Sequence, residues 1–176
     1  MALFNTENNR KLSEKGAVRM KTTAAFIIWL YLVCATAAYA VDTAPVAGEK
    51  DKCPVCGMFV APYPGWTGVI VLKDLSALFF DGPKDLFTFY NNVGKYSPGR
   101  SRSDISAVWV KDYYALTAID GMKAFYVIGS DVLGPMGKEL VPFMKEPDAA
   151  IFLKDHKGSK TLRFGDITPQ VMKSLE

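Results

Sequence analysis

Two cysteines and two methionines supply the most distinctive donor atoms in this sequence. Cys53 and Cys56 stand in the run Cys-Pro-Val-Cys-Gly-Met, which ends at Met58. A fourth sulfur, Met136, lies far downstream in Gly-Pro-Met-Gly. Thiolate and thioether sulfurs are soft ligands that favour copper(I) over harder ions. The sequence therefore predicts a copper(I) site formed by Cys53, Cys56 and Met136, with Met58 as a further candidate ligand.

Such a ligand set suits a carrier better than a catalyst. Copper(I) accepts low coordination numbers, so two or three sulfurs hold it while leaving room for a recipient's ligand. Methionine keeps its donor atom at any pH, whereas cysteine must lose its proton when it binds metal. We therefore expect a metallochaperone that works by ligand exchange, and not an enzyme.

Other uses of the cysteine pair remain open. A structural zinc site normally takes four Cys or His ligands, whereas the chain after residue 40 offers two cysteines and His156. A periplasmic thiol-disulfide oxidoreductase would place its pair at a helix N-terminus, which lowers the thiol pKa. The residues after Cys56 are poor helix starters. An inert interaction module with a structural disulfide is the third alternative, although so short a loop gains little chain entropy.

Three more residues could have a structural role instead of binding metal. Met136 could be a core filler, as methionine often is, but its neighbours Pro135 and Gly137 favour an exposed loop. We expect His156 to lie on the outward face of a helix near its C-terminus. Met122 is expected to serve packing.

The first 40 residues have the pattern of a leader. No residue from 22 to 41 is charged, Lys21 precedes this stretch, and Ala-Tyr-Ala ends it at Ala40. A basic start, an apolar segment and small residues at the end are typical of a secretory signal peptide. We expect cleavage after Ala40 and export to the periplasm. A membrane tether is expected only if the leader is retained or Cys34 is lipidated.

Two boundaries complete the predicted organisation. Met20 is an alternative translation start, because the basic residue of the leader follows it directly. Residues 41–52 are polar and contain Pro and Gly, which predicts a flexible tether. Residues 53–176 then form the folded domain. It is long enough to bury one hydrophobic core without disulfides.

The charge balance limits the classes of partner. The leader carries five Lys or Arg and two Asp or Glu, so the remaining chain has 16 of each and a formal net charge of zero. Nucleic-acid binding and binding to an anionic membrane surface both need a basic patch. We therefore expect no nucleic-acid partner.

The hydrophobic pattern predicts an α+β domain. Helices are expected to begin at Pro83, with Asp81 as a cap, at Glu146-Pro147, and at Pro169, with Thr168 as its cap. Strands are predicted over 66–72, 76–80, 107–110, 113–117, 123–128, 139–143 and 161–164. A faint repeat relates residues 57–94 to residues 134–158, which would place Met58 and Met136 at corresponding positions.

The order of these motifs resembles the NosL family, the periplasmic accessory proteins of nitrous oxide reductase. The resemblance covers residues 53–166 and rests on the runs CPVCGM, LFFDGPKDLFTFY, AVWVKDYY and KAFYVIGSDVLGPMGKELVPF. It implies one domain of two small ββαβ-like units, similar to a part of organomercurial lyases. The motif cysteines and methionine of the family match Cys53, Cys56 and Met136.

The same resemblance implies a function and partners. A member of this family is expected to carry copper(I) to a recipient cuproenzyme, either nitrous oxide reductase or another periplasmic copper protein. An upstream copper exporter is the expected source of the metal. Many members are lipoproteins, whereas the residues before Cys34 are bulky here. Copper ligation by histidine has been proposed in the family, and His156 is the one histidine of this sequence.

Overall fold

The computed structural model describes residues 43–176. The predicted leader, with Met20 and Cys34, lies outside the described residues. The described part combines helices with antiparallel sheets, which confirms the predicted α+β class. Within this part, no helix has both the length and the apolar character needed to cross a membrane.

The first unit is a four-stranded antiparallel sheet in the order β2-β1-β3-β4. Its strands and helices are β1 Gly68–Leu72, β2 Ala77–Phe80, α1 Pro83–Asn91, α2 Val93–Tyr96, β3 Ile105–Lys111 and β4 Ala118–Asp120. In the register of this sheet, Val69 of β1 faces Phe79 on one side and Trp109 on the other.

The second unit is a three-stranded antiparallel sheet in the order β8-β5-β9, with a two-stranded hairpin inserted between β5 and β8. Its elements are β5 Phe125–Ile128, β6 Leu133–Gly134, β7 Gly137–Lys138, β8 Val141–Phe143, α3 Glu146–Asp155 and β9 Lys160–Arg163, followed by α4 Pro169–Lys173. Pro142 lies on the edge strand β8, as expected of a residue that cannot donate to a ladder.

The two units share one topology. In each, a central strand pairs with the next strand on one side and, after a helix, with a third strand on the other. This arrangement confirms the two ββαβ-like units. The expected correspondence of the two methionines is wrong, because Met58 precedes β1 whereas Met136 lies between β5 and β8.

Helix α1 fills the core and joins the two units. Its side chains Leu86, Phe87 and Phe89 are fully buried, and burying each such side chain contributes roughly 1.5–3 kcal/mol. Phe87 meets Tyr126 of β5 edge to face, with ring centroids 5.1 Å apart. The position of α1, and of whatever its N-terminus carries, is therefore set by packing on both sheets.

The strand predicted over residues 113–117 is wrong. The buried Asp112 accepts hydrogen bonds at Oδ1 from the backbone N–H groups of Tyr114 and Ala115. An Asp side chain that bonds the backbone just after it stabilises a turn, so the next strand begins only at Ala118. Met122, which was expected to serve packing, is 44% exposed.

The segment predicted as a tether is described from residue 43 onwards. Asp51 accepts a 3.0 Å hydrogen bond at its backbone oxygen from the Val60 N–H, and Lys52 forms an isolated bridge with Phe59. Ala47 packs against the core. These contacts attach the residues just before the cysteines to the domain.

Candidate metal centre

The cysteine run folds into one tight loop. The Cys53 N–H donates to the Met58 carbonyl at 2.8 Å, and the Gly57 N–H donates to the Cys53 carbonyl at 2.9 Å. Gly57 has a φ of +80°, a left-handed conformation that glycine adopts without steric cost. Gly57 therefore lets the backbone turn tightly at the end of the run.

Two aspartates at the start of α1 face this loop. The Cys53 thiol donates a 3.2 Å hydrogen bond to Asp85 Oδ2, and the Cys56 thiol donates a 3.4 Å hydrogen bond to Asp81 Oδ1. The two sulfurs and one oxygen of each aspartate all lie within 4.8 Å of one another. The four side chains therefore form one compact group of potential metal ligands.

The group is largely shielded from solvent. Cys53 and Asp81 are buried and Cys56 is half-buried. Desolvation raises the pKa of the Cys53 thiol strongly and that of Cys56 to about 11, and it also raises the pKa of Asp85. Without metal, both thiols are therefore protonated at neutral pH and donate to the carboxylates. A metal ion that takes the sulfurs must displace these protons.

These features are the reverse of a thiol redox centre. Reactive redox cysteines have a lowered pKa and usually stand at a helix N-terminus. Here burial raises the pKa of both thiols, and residues 54–56 form a turn outside any helix. The helix N-terminus in the site carries the two aspartates instead. The geometry favours holding a metal over exchanging a disulfide.

The two methionines predicted as ligands lie in segments next to this group along the chain or through a backbone contact. Met58 is half-buried at the end of the cysteine loop. Met136 is 42% exposed and stands in the turn between β6 and β7. Its carbonyl accepts a hydrogen bond from Lys84 Nζ, and Lys84 directly precedes Asp85. The Met136 turn thus contacts the same helical turn as the thiols, while ligation by either methionine stays a prediction.

His156 lies elsewhere in the structure. It stacks on Phe152 with ring centroids 4.3 Å apart, and its Nδ1 is 3.0 Å from Asp131 Oδ1. It belongs to the second unit near the end of α3, as expected, and is not part of the cysteine–aspartate group.

Asp81 and Asp85 are the site residues that sequence reasoning missed. Asp81 was expected to cap α1, but the N-cap is Gly82 and no side chain of the cap accepts a hydrogen bond there. Asp81 turns instead toward Cys56. The available clue was the spacing of two acidic residues one helical turn apart at a helix start, directly after strand β2.

Comparisons with known proteins agree on one family. A family model described as NosL matches residues 45–172. The copper-binding lipoprotein NosL of Stutzerimonas stutzeri is 30% identical over 132 residues, which cover 70% of this chain and 65% of that relative. The copper-binding lipoprotein NosL of Achromobacter cycloclastes is 29% identical over 166 residues, which cover 85% of this chain and 82% of the relative.

A solved structure shows the same fold. The crystal structure of the copper chaperone NosL from Shewanella denitrificans matches this one with a TM-score of 0.63 and 26% sequence identity. The match covers 73% of this chain and 97% of that chain.

Proposed function

The chain belongs to the NosL family, and we propose that it is an exported copper(I) metallochaperone that delivers copper to a periplasmic cuproenzyme such as nitrous oxide reductase. The observation that carries the proposal is the pair of neighbouring thiols, each donating a hydrogen bond to a carboxylate at the start of α1. Relatives with this domain are named copper-binding proteins and a copper chaperone, which supports copper as the cargo.

The donor set supports the monovalent state of the metal. Sulfur ligands select copper(I), whereas carboxylate oxygens suit harder ions. We therefore assign Cys53 and Cys56 as the primary ligands, with Met136 as the third sulfur and Met58 as a further candidate. Asp81 and Asp85 hold the thiol hydrogens in the metal-free protein and orient the two sulfurs.

Loading and release follow from this arrangement. When copper(I) enters, each cysteine that binds it loses its proton, so the thiol-to-carboxylate hydrogen bonds break as the metal–sulfur bonds form. Release reverses the process, because a recipient sulfur or imidazole enters the open coordination position and the cysteines take up protons again. The high pKa of both thiols favours this return.

The cellular setting is part of the proposal. The leader predicted over residues 1–40 supports export, and two relatives are named lipoproteins. We propose a periplasmic protein that receives copper from an exporter. A membrane tether would require that the leader be retained or that Cys34 be lipidated.

A transfer assay tests this function. The protein is loaded with one equivalent of copper(I) without oxygen and mixed with copper-free nitrous oxide reductase, and the copper in each protein is measured after separation. The proposal predicts that copper moves to the reductase faster than from an equal amount of copper held by a small-molecule chelator of matched affinity. Copper that stays on the loaded protein would contradict delivery to this enzyme.

A further inference from the structure

Glu139 is a buried acidic residue that the proposed ligand set does not use. Only 2% of its surface is exposed. Its Oε1 accepts hydrogen bonds from the backbone N–H groups of Lys84 and Leu140. A carboxyl group is costly to bury unless it is bonded to fixed donors, so this placement calls for an explanation beyond packing.

The carboxyl group occupies a fitted slot. A Cβ atom at Gly82 would lie 2.4 Å from Glu139 Oε2, and one at Gly134 would lie 2.9 Å from Glu139 Cγ. Only glycine leaves room for the carboxyl group at these two positions. One wall of the slot is therefore the start of α1, and the other is strand β6 beside the Met136 turn.

Glu139 also provides a hydrogen-bond acceptor at the N-terminus of α1, the helix that carries Asp85 and directly follows Asp81 and Gly82. The first N–H groups of a helix have no partners inside the helix, and the N-cap Gly82 has no side chain to serve them. Glu139 reaches across from a position 55 residues away to accept from the Lys84 N–H. It therefore fastens the segment that follows the Met136 turn to the N-terminus of α1.

A second contact ties the same two segments together. Lys84 Nζ donates to the Met136 carbonyl, so Lys84 bonds to the hairpin through both its backbone and its side chain. Pro135 lies beside Gly82 as well, since a Cβ added at Gly82 would be 3.7 Å from Pro135 Cδ. The two hydrogen bonds at Lys84 hold the Met136 turn and the adjoining Glu139 against the start of α1. Lys84 lies between Asp81 and Asp85, the two aspartates that accept from the thiols.

We propose that Glu139 is a positioning residue for copper binding, which fastens the Met136 turn to the start of α1 and thereby sets the Met136 sulfur beside Cys53 and Cys56. This inference rests on the proposed function, since it assumes that the site holds copper(I). Glu139 itself is not a ligand in this account. It affects copper(I) affinity only by positioning Met136.

A double-mutant cycle tests the proposal. Copper(I) affinity is measured anaerobically against a chromophoric chelator for the wild type, Glu139→Ala, Met136→Leu and the double variant. Loss of an outer-shell partner of a metal ligand typically weakens binding about 10- to 100-fold, and we expect Glu139→Ala to fall in this range. In the Met136→Leu background the same change should have almost no effect.

Two further variants and a control test the proposal even if Glu139→Ala does not fold. Glu139→Gln retains an oxygen acceptor of the same shape and should restore affinity to within about threefold of the wild type. Lys84→Ala removes the exposed hydrogen bond from Lys84 Nζ to the Met136 carbonyl, and it should weaken copper(I) binding only when Met136 is present. Lys138→Ala, which removes an exposed lysine from the same hairpin, is the matched control and should leave affinity unchanged.

The outcomes separate this inference from the function on which it rests. If the wild type binds no copper(I), the proposed function fails and the inference fails with it. If the wild type binds copper but Glu139→Ala binds as tightly, or weakens binding equally with and without Met136, the inference alone is overturned. Amide hydrogen exchange at Lys84 provides a metal-free readout, and its protection should be lost in Glu139→Ala and kept in Glu139→Gln.

Discussion

The thiol of Cys53 donates a 3.2 Å hydrogen bond to Asp85 Oδ2, although 32 positions separate the two residues in the chain. This bond joins the loop that carries both cysteines to the helix that spans the core. Because α1 is fixed by packing on both sheets, the hydrogen bonds to the start of this helix also hold the sulfurs in place. The loop thus presents Cys53 and Cys56 as a preformed pair of soft ligands.

The reactivity of the thiols is the first prediction. Because burial raises the pKa of Cys56 to about 11 and that of Cys53 further, little thiolate exists at neutral pH. Alkylation by iodoacetamide, followed by mass spectrometry, should be slow at pH 7 and accelerate as the pH rises past 9, with Cys56 modified before Cys53. Rapid labelling that reaches its plateau below pH 8 would indicate a redox-type cysteine and contradict this account.

Removal of the Asp85 carboxylate should weaken the site. Asp85→Asn keeps the shape but replaces the carboxyl group that orients the Cys53 thiol with an amide, so we expect copper(I) affinity to fall about 10-fold or more. Asp148→Asn is the matched control, because Asp148 also lies in the first turn of a helix, α3, but away from the thiols. Equal affinities in the two variants would show that Asp85 has no part in the site.

The buried Glu139 should make stability depend on pH. Desolvation raises its pKa from 4.5 to about 8 in the folded protein, so the unfolded chain releases this proton at lower pH than the folded chain does. Its contribution to stability is therefore complete below about pH 4.5 and falls as the pH rises toward 8. Between pH 5 and 8, the free energy of unfolding of the wild type should fall by on the order of a few kcal/mol relative to that of Glu139→Gln.

Chemical denaturation at several pH values measures this effect. The free energy of unfolding of wild type should fall with rising pH more steeply than that of Glu139→Gln, which carries no titratable group at this position. Parallel curves for the two proteins across this range would show that Glu139 is ionised in the folded state.

Crowding of the slot gives a prediction about stability. Gly82→Ala would bring a methyl group to 2.4 Å from Glu139 Oε2, and an overpacked site of this kind typically costs about 1–3 kcal/mol. Gly65→Ala is the control, since its nearest non-neighbour atom is 3.8 Å away, and it should change stability by less than about 0.5 kcal/mol. Thermal denaturation of both variants would test the difference, and equal melting temperatures would contradict the fitted slot.

The sequence predicted the elements well where local patterns decide them. The proline at the start of α1, the Thr168 cap of α4 and the strand that contains Pro142 were each expected from residue chemistry, and the structure has them. The strand predicted over 113–117 failed because Asp112 stabilises a turn through its side chain. The apolar residues of this segment favour a strand, and they do not show that the Asp112 side chain stabilises a turn there instead.

The candidate site was only partly predictable for a similar reason. Cys53 and Cys56 stand out by type and spacing, and so could be named from the sequence. The contributions of Asp81, Asp85 and Glu139 depend on long-range contacts that bring three separate segments together. An acidic residue near a helix start is ordinarily a cap, so nothing local distinguishes Asp81 from that common role.

Whether Cys53 and Cys56 form a copper(I) site can be measured by anaerobic titration of the reduced protein with copper(I) against a chromophoric chelator, repeated on Cys53→Ser and Cys56→Ser. Circular dichroism first checks that each variant keeps the wild-type fold. We expect the wild type to bind one copper(I) more tightly than the chelator does, and both variants to bind it with sharply reduced affinity. A wild type that leaves all copper on the chelator, or serine variants that bind as tightly as wild type, would contradict a copper(I) site built on these two thiols.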